Sequence, residues 1–259
     1  MRRIRGGSGF GDNLYVQAVC RYYNNVLKEP LSVATPYYDL FKELELIEPT
    51  GFTKAGAQII AHYTQRKKNT STSQFKDCCL QAGAPIDTEL KLDWQYQNGT
   101  QSEIIRQKAK GRPILVVQMP RMPMARQDPF GIELLPTESA LKNAVEILAE
   151  KTGSYTVLIG KGSALYDINT HYSAVNKTTI PELLDVAHVA DRFIGQVSSI
   201  IPMAESFGKP VLSVFSRRGF NSANWFISSI LPNKVNHYDS SISIVDDDPP
   251  EKIESRLNK

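Results

Sequence analysis

One stretch constrains the fold of this chain more than any other: ADRFIGQVSSIIPMAESFGKPVLSVFS, residues 190–216. It reads as a short buried strand over 192–195, a polar turn over 196–199, a helix, and a second buried strand over 210–215. Ser198 or Ser199 stands where a helix N-cap is wanted, and Pro202 falls in the first turn, where a missing N–H costs little. Gly208 occupies the place of a left-handed C-terminal cap, and Pro210 stops the helix from continuing. Strand, helix and strand in this order make half of a βαβ unit. In such units the carboxyl end of a strand faces a helix N-terminus whose free N–H groups suit a phosphate.

With 259 residues, 41% of them hydrophobic and 22% charged, the chain can bury one large core or two smaller ones. No apolar run reaches the roughly 20 residues that span a bilayer. The basic start, MRRIRGG, lacks the apolar stretch of a signal peptide, so a cytoplasmic protein without a transmembrane segment is expected. Cys20 falls in an apolar helical pattern, adjacent Cys78 and Cys79 make a poor disulfide pair, and no metal-ligand spacing occurs. The net charge of +3 does not by itself indicate nucleic acid. The clusters Arg2, Arg3, Arg5 and Arg66, Lys67, Lys68 read as solvated surface.

The amino-terminal half begins with a strand, a glycine turn and a helix. Gly7, Gly9 and Gly11 do not form a dinucleotide fingerprint, but they suit a turn where backbone comes close to something. Leu14, Ala18, Val19, Tyr22, Tyr23 and Val26 recur at helical spacing and define one face. Asp12 reads either as the helix N-cap or as a general base at the mouth of a cleft. Residues 31–44 read as a strand followed by a helix, and a helix carries Phe75, Cys78, Cys79 and Leu80. His62 reads as a packed or surface side chain. ELKLDW, 89–94, alternates like a strand. The polar segment 95–112 marks a break, with a helical stretch over 102–110 that leads into a second domain.

That second domain opens on the apolar run 114–118, typical of a parallel strand covered on both faces. The next loop, MPRMPMARQDPFG, places Arg121 and Arg126 at a strand's carboxyl end, where open α/β sheets bind ligands. Its methionines 119, 122 and 124 read as packing. Thr137 caps a helix that buries Leu141, Ala144, Val145 and Leu148 and ends at Gly153. TVLIG, 156–160, is the next buried strand and ends in Gly160-Lys161-Gly162. The spacing is not that of a P-loop, but Lys161 is a strand-end cation. Thr179-Ile-Pro-Glu182 is a capping box with proline in the first turn. His188 on that helix reads as an ordinary helix histidine. Arg217 and Arg218 come after the strand 211–215 and suit a diphosphate through bidentate charge-assisted bonds.

The opening stretch also resembles the carboxyl-terminal motif of glycosyltransferase family 9, the bacterial lipopolysaccharide heptosyltransferases, which reads about AD-x-FIG-x-DSG-x-x-H-x-A-x-x-x-GKPV. Ala190, Asp191, Phe193, Ile194, Gly195, Ser198, Ala204, Gly208, Lys209, Pro210 and Val211 match it without a gap. Val197 stands at the family's Asp, and Pro202 at its His. Gly11, Asp12 and Leu14 match the GD-x-L that comes after the family's first strand, whose Asp activates the acceptor. A phage-encoded, divergent relative is one source of such a chain.

The resemblance implies an α/β chain of two facing Rossmann-like domains of the GT-B type. An acceptor-side domain would span 1–110 and a nucleotide-sugar-binding domain 111–259, with Asp12 and Ser198 on opposite walls of a cleft. It implies inverting, metal-independent transfer of a sugar from a nucleotide sugar to a carbohydrate or other hydroxyl acceptor, with no cofactor. Asp12 is then the catalytic base. Gly9, Gly11, Arg121, Arg126, Lys161, Ser198, Ser199, Arg217 and Arg218 are the substrate-binding candidates. Two alternatives stay open: a transferase acting on a modified DNA base, and a silent nucleotide- or sugar-binding protein.

Overall fold

The computed structural model describes residues 1–53, 56–62, 74–120, 135–196, 198–215, 241–245 and 251. The chain is α/β, with two all-parallel sheets. By compactness it divides after Trp94: one unit holds Met1–Trp94 with Glu205–Gly208, and the other holds Gln95–Ala204 with the described residues from Lys209 onward.

In the first unit the strands are β1 (Arg2–Arg5), β2 (Leu31–Ala34), β3 (Ile47–Thr50) and β4 (Ile59–Ile60), in the order β3-β2-β1-β4. The last two were not expected. Pro49 is tolerated in β3 because that strand lies at the sheet edge, where a missing N–H leaves no ladder partner wanting. Helix α1 (Phe10–Tyr22) is buried on every side from Asn13 to Cys20, which is broader than the single face the spacing suggests. It continues into a π turn, Tyr23–Leu27, that ends at Lys28 in the left-handed region. The wider turn shifts the angular phase of the chain, so Val26 leaves the buried face and is 64% exposed.

Two other readings are corrected. The helix expected after β2 is only a 3-10 turn, Tyr38–Leu40. Pro36 removes a donor there, the Thr35 hydroxyl takes the Tyr37 N–H at 2.9 Å, and the next bonds along the chain are all i to i−3. ELKLDW alternates as read, with Leu90, Leu92 and Trp94 buried, yet it belongs to no sheet. Its Leu92 N–H goes to Ser206 O at 2.9 Å. Alternation reports two unlike faces; it does not report a ladder partner. Helix α2 (Gln74–Gln81) stands where the pattern put it, burying Phe75, Cys78 and Cys79, while Leu80 is exposed.

In the second unit the order is β10-β9-β8-β5-β6-β7. The strands are β5 (Ile114–Gln118), β6 (Tyr155–Ile159), β7 (Tyr172–Ser173), β8 (Arg192–Gln196), β9 (Val211–Phe215) and β10 (Ser241–Val245). Its described helices are α3 (Thr100–Ala109), α4 (Glu138–Thr152), α5 (Ile180–Val189) and α6 (Ile200–Ser206), the last up to Ala204. α4 buries the four residues its pattern named, and these pack with Leu115, Val117, Leu158, Ile194, Leu212 and Val214 into one core. Thr137 caps α4 by accepting Ala140 N–H at 3.3 Å. Thr179 and Glu182 form the reciprocal box of α5. Gly153 and Gly208, both at positive φ, close α4 and α6 with paired bonds donated by the glycine's own N–H and that of the next residue. No described helix is long and apolar enough to cross a membrane.

Candidate functional site

Each sheet reverses its strand order at one place, and ligands of open α/β sheets bind at the carboxyl strand ends there. In the first sheet that place lies between β1 and β4, and β1 runs directly into the glycine turn. Gly6 has no room for a side chain, since a Cβ would sit 2.3 Å from Val16 Cγ2 and 2.7 Å from Ala61 O. A Cβ on Gly7 would sit 2.2 Å from Asp12 Oδ2. The turn is therefore wrapped against the Asp12 carboxylate. Asp12 is not the N-cap: Gly9 holds that position, Gly11 is the second helical residue and Asp12 the third. Its Oδ2 reaches back to accept the Gly9 N–H at 3.2 Å. Gly9 has no side chain to reciprocate, so this is half a capping box. Asp12 is half-buried, a carboxylate fixed at one oxygen beside a strand end.

The residue that shapes this turn was not singled out from the sequence. Asn13, 1% exposed, donates through Nδ2 to Gly7 O at 3.1 Å and Gly9 O at 2.8 Å, and its Oδ1 accepts the Thr35 hydroxyl at 2.7 Å. A polar residue heading the mostly apolar helical run LYVQAV was the available signal.

In the second sheet the reversal lies between β5 and β8. There Gln118 ends β5, Gln196 ends β8, and the Ser198 hydroxyl donates to Gln118 Oε1 across the switch point. Ser198 Oγ also stands 3.5 Å from Ile200 N, and Ser199 O accepts Met203 N–H at 3.1 Å, so Ser199 is the backbone cap of α6. Gly195 is needed for close approach, since a Cβ there would come 2.9 Å from Gln118 Cβ. Gln196 Oε1 is buried without a hydrogen-bond partner among the described residues, an acceptor open to a ligand N–H or O–H. Lys161 is exposed at the carboxyl end of β6, between Gly160 and Gly162, both at positive φ. Asn176 clamps that turn, accepting Gly162 N–H at 2.7 Å and donating to Gly162 O at 3.0 Å.

Arg121, Arg126, Arg217, Arg218, Val197, Met122, Met124 and the cluster Arg66–Lys68 lie outside the described residues. Other sequence candidates have structural duties. Arg2 pairs with Glu29 at 2.6 Å, and Arg3 donates to Gly51 O at 3.1 Å. Asp191, though part of the resemblance, ties the start of β8 to β5 by accepting Ile114 N–H at 2.7 Å. His188 is exposed and stacks on Tyr96, ring centroids 5.1 Å apart. Among the described residues no group of three or more His, Cys, Asp or Glu is placed to hold a metal ion.

No protein-family model matches the chain, and no curated protein matches it in sequence. Solved structures do match in fold. ADP-heptose lps heptosyltransferase II of E. coli is similar with a TM-score of 0.66 at 10% identity, over 100% of this chain and 98% of that one. A glycosyl transferase family 9 protein from Veillonella parvula gives 0.63 at 10% identity, over 100% and 89%. E. coli heptosyltransferase WaaC with ADP gives 0.56 at 9% identity, over 99% and 96%. At these identities the likeness establishes the α/β fold of two parallel sheets as that of these glycosyltransferases.

Proposed function

We propose that this chain is a glycosyltransferase that moves a sugar from a nucleotide-sugar donor to an acceptor hydroxyl, with inversion and without a metal. What carries the reading is the half-buried, turn-anchored carboxylate of Asp12 at the strand-order reversal of a fold shared end to end with heptosyltransferases. Asp12 would take the acceptor's proton through the oxygen not held by Gly9. The freed oxygen attacks the anomeric carbon while the bond to the diphosphate breaks, inverting that carbon. Negative charge grows on the departing diphosphate. Gln118, Ser198, Ser199 and Lys161 stand at strand ends or a helix start of the second unit, where donors suit such a group. Arg121, Arg126, Arg217 and Arg218 are the further cations assigned to it by their places in the sequence. Gly7 and Gly9 let the turn lie against Asp12, where a Cβ would come 2.2 and 3.0 Å from Oδ2, while Gly11 is assigned to the site by its place in the sequence alone. A second reading, donor binding without turnover, is favoured by Pro202 inside α6 and by Val197, where the resemblance has His and Asp.

The test is Asp12→Asn, read after a thermal-shift screen of nucleoside diphosphates and nucleotide sugars has found the donor. Asparagine can still accept the Gly9 N–H, so stability should change by no more than about 1 kcal/mol. Transfer, or donor hydrolysis, should fall roughly 10²–10⁴-fold with donor binding intact. Wild-type turnover in the variant would remove Asp12 as base. Donor binding with no turnover in the parent chain would favour the second reading.

A further inference from the structure

At the amino-terminal edge of the six-stranded sheet, the end away from Gln118 and Ser198, two hydrogen-bond donors converge. His171, just before β7, accepts the Thr156 backbone N–H at its Nδ1, 3.1 Å away. Thr156 Oγ1 lies 2.7 Å from the same nitrogen and itself accepts the His171 N–H at 3.0 Å, so its own hydrogen is free to point at Nδ1. A backbone N–H can only donate. Nδ1 therefore carries the lone pair, and the neutral ring keeps its proton on Nε2. That Nε2 stands 3.4 Å from Arg112 Nη1. A guanidinium also only donates, so an N–H faces an N–H with no acceptor between them.

The arrangement is held in place. The Arg112 guanidinium lies 5.0 Å over the Tyr155 ring, and the His171 ring packs 5.0 Å from the same ring at 31°. Burial, and then the Arg112 charge, push the His171 imidazole below its ordinary pKa, which keeps it neutral near pH 7. Lys108 and Lys177 sit 4.7 and 5.0 Å from the neighbouring Tyr172 ring. Among the described residues none of Arg112, Lys108 and Lys177 makes an ion pair. Asp191 lies on the β8 side of β5, away from β6 and β7, and spends Oδ2 on the Ile114 N–H.

We propose that Arg112 and the Nε2–H of His171 form a binding site for a phosphate-type oxyanion, separate from the strand-end site. An oxygen about 2.9 Å from both nitrogens would accept both bonds and resolve the donor–donor contact. The anion is singly anchored at an exposed edge, with Lys108 and Lys177 supplying further positive field.

Long-range proton–nitrogen NMR of the histidine rings tests this on the folded chain without any substrate of the proposed transferase. Four histidines are present, and His171→Gln assigns the one in question. The expected spectrum shows the Nε2–H form at pH 7.5, with an Nε2 resonance that moves as inorganic phosphate is added at constant ionic strength. Sodium acetate should move it much less. Arg112→Met keeps an apolar stem over Tyr155 and should weaken the phosphate response at least tenfold, its melting curve showing that it folds. An Nδ1–H ring in the parent protein overturns the proposal without any variant. An equal response to acetate, or an undiminished one in Arg112→Met, overturns it as well. The outcome is independent of whether Asp12 proves to be a base.

Discussion

The four-stranded and six-stranded units end their parallel strands in similar turns but hold them by different means. In the six-stranded unit most strands are five residues long and largely apolar, and helices begin and end at devices written within a few residues: Thr137 with Ala140, Thr179 with Glu182, and Gly153. In the four-stranded unit none of the described strands exceeds four residues. Its turns are fixed by polar side chains that reach far along the chain. Asn13 meets Thr35, Asn24 Oδ1 accepts Leu46 N–H at 2.8 Å, and the Tyr23 hydroxyl donates to Ala82 O at 2.7 Å. Short ladders leave turns under-determined, and buried hydrogen bonds over-determine them again. The difference teaches where each unit is vulnerable: one through its apolar core, the other through a few buried polar or ionisable groups.

Alkali should expose the contrast most. All three cysteines, Cys20, Cys78 and Cys79, are buried in the first unit. Burial pushes the Cys79 thiol up to about 12, and holds Cys20 and Cys78 well above the ordinary range. A thiol freed by unfolding ionises near 8.5. Because the folded values are raised, the neutral thiols stabilise fully below that pH, and the stabilisation is lost as pH climbs from about 9 towards 12. The loss is about 1.4 kcal/mol per thiol per pH unit. Deuterium exchange between pH 8 and 10.5, corrected for intrinsic rates, should show α1 and α2 losing protection before α4 and β6. Simultaneous loss across both units would undo the comparison.

Asn13→Leu strikes the polar scaffold directly. Gly9 O keeps the Asn13 backbone N–H at 3.1 Å, but Gly7 O loses its donor, and the Thr35 hydroxyl, which still takes the Tyr37 N–H, loses the acceptor for its own hydrogen. One fully buried hydroxyl hydrogen left without an acceptor, and one half-buried carbonyl left without its donor, should cost about 2–3 kcal/mol in urea unfolding. A loss under 0.5 kcal/mol would mean that the apolar contacts of α1 hold the turn without the amide. The local devices of the second unit should matter less. Thr179→Ala should cost about 1 kcal/mol or below, since Glu182 still accepts the residue-179 N–H at 2.9 Å. A cost matching that of Asn13→Leu would erase the distinction between the units.

The two regions also differ in how far their residues announce them. Apolar runs read at 114–118 and 156–160, the box Thr179-Ile-Pro-Glu182 and the glycine at 153 specify strands and helix ends by local chemistry, and these elements stand within a residue of where the sequence puts them, β6 starting one residue earlier. Asp12 after a glycine turn, and Ser198 after a buried strand, were equally visible, because a strand end trailed by small residues is a local pattern. What nearby residues could not express was partnership. The alternation of ELKLDW names two faces and no neighbour, and two isoleucines at 59–60 become β4 only because β1 lies beside them. Asn13 becomes the clamp of the glycine turn only when Thr35 arrives from β2, and Gln118 meets Ser198 only when β8 returns to the side of β5 opposite β6. His171 is an ordinary histidine until Thr156 fixes its tautomer and Arg112 faces its proton. Periodicity, capping and turn chemistry act over a few bonds, so the sequence carries them openly. Buried polar pairing and donor geometry depend on which distant strands become neighbours, and that was decided by the folded chain.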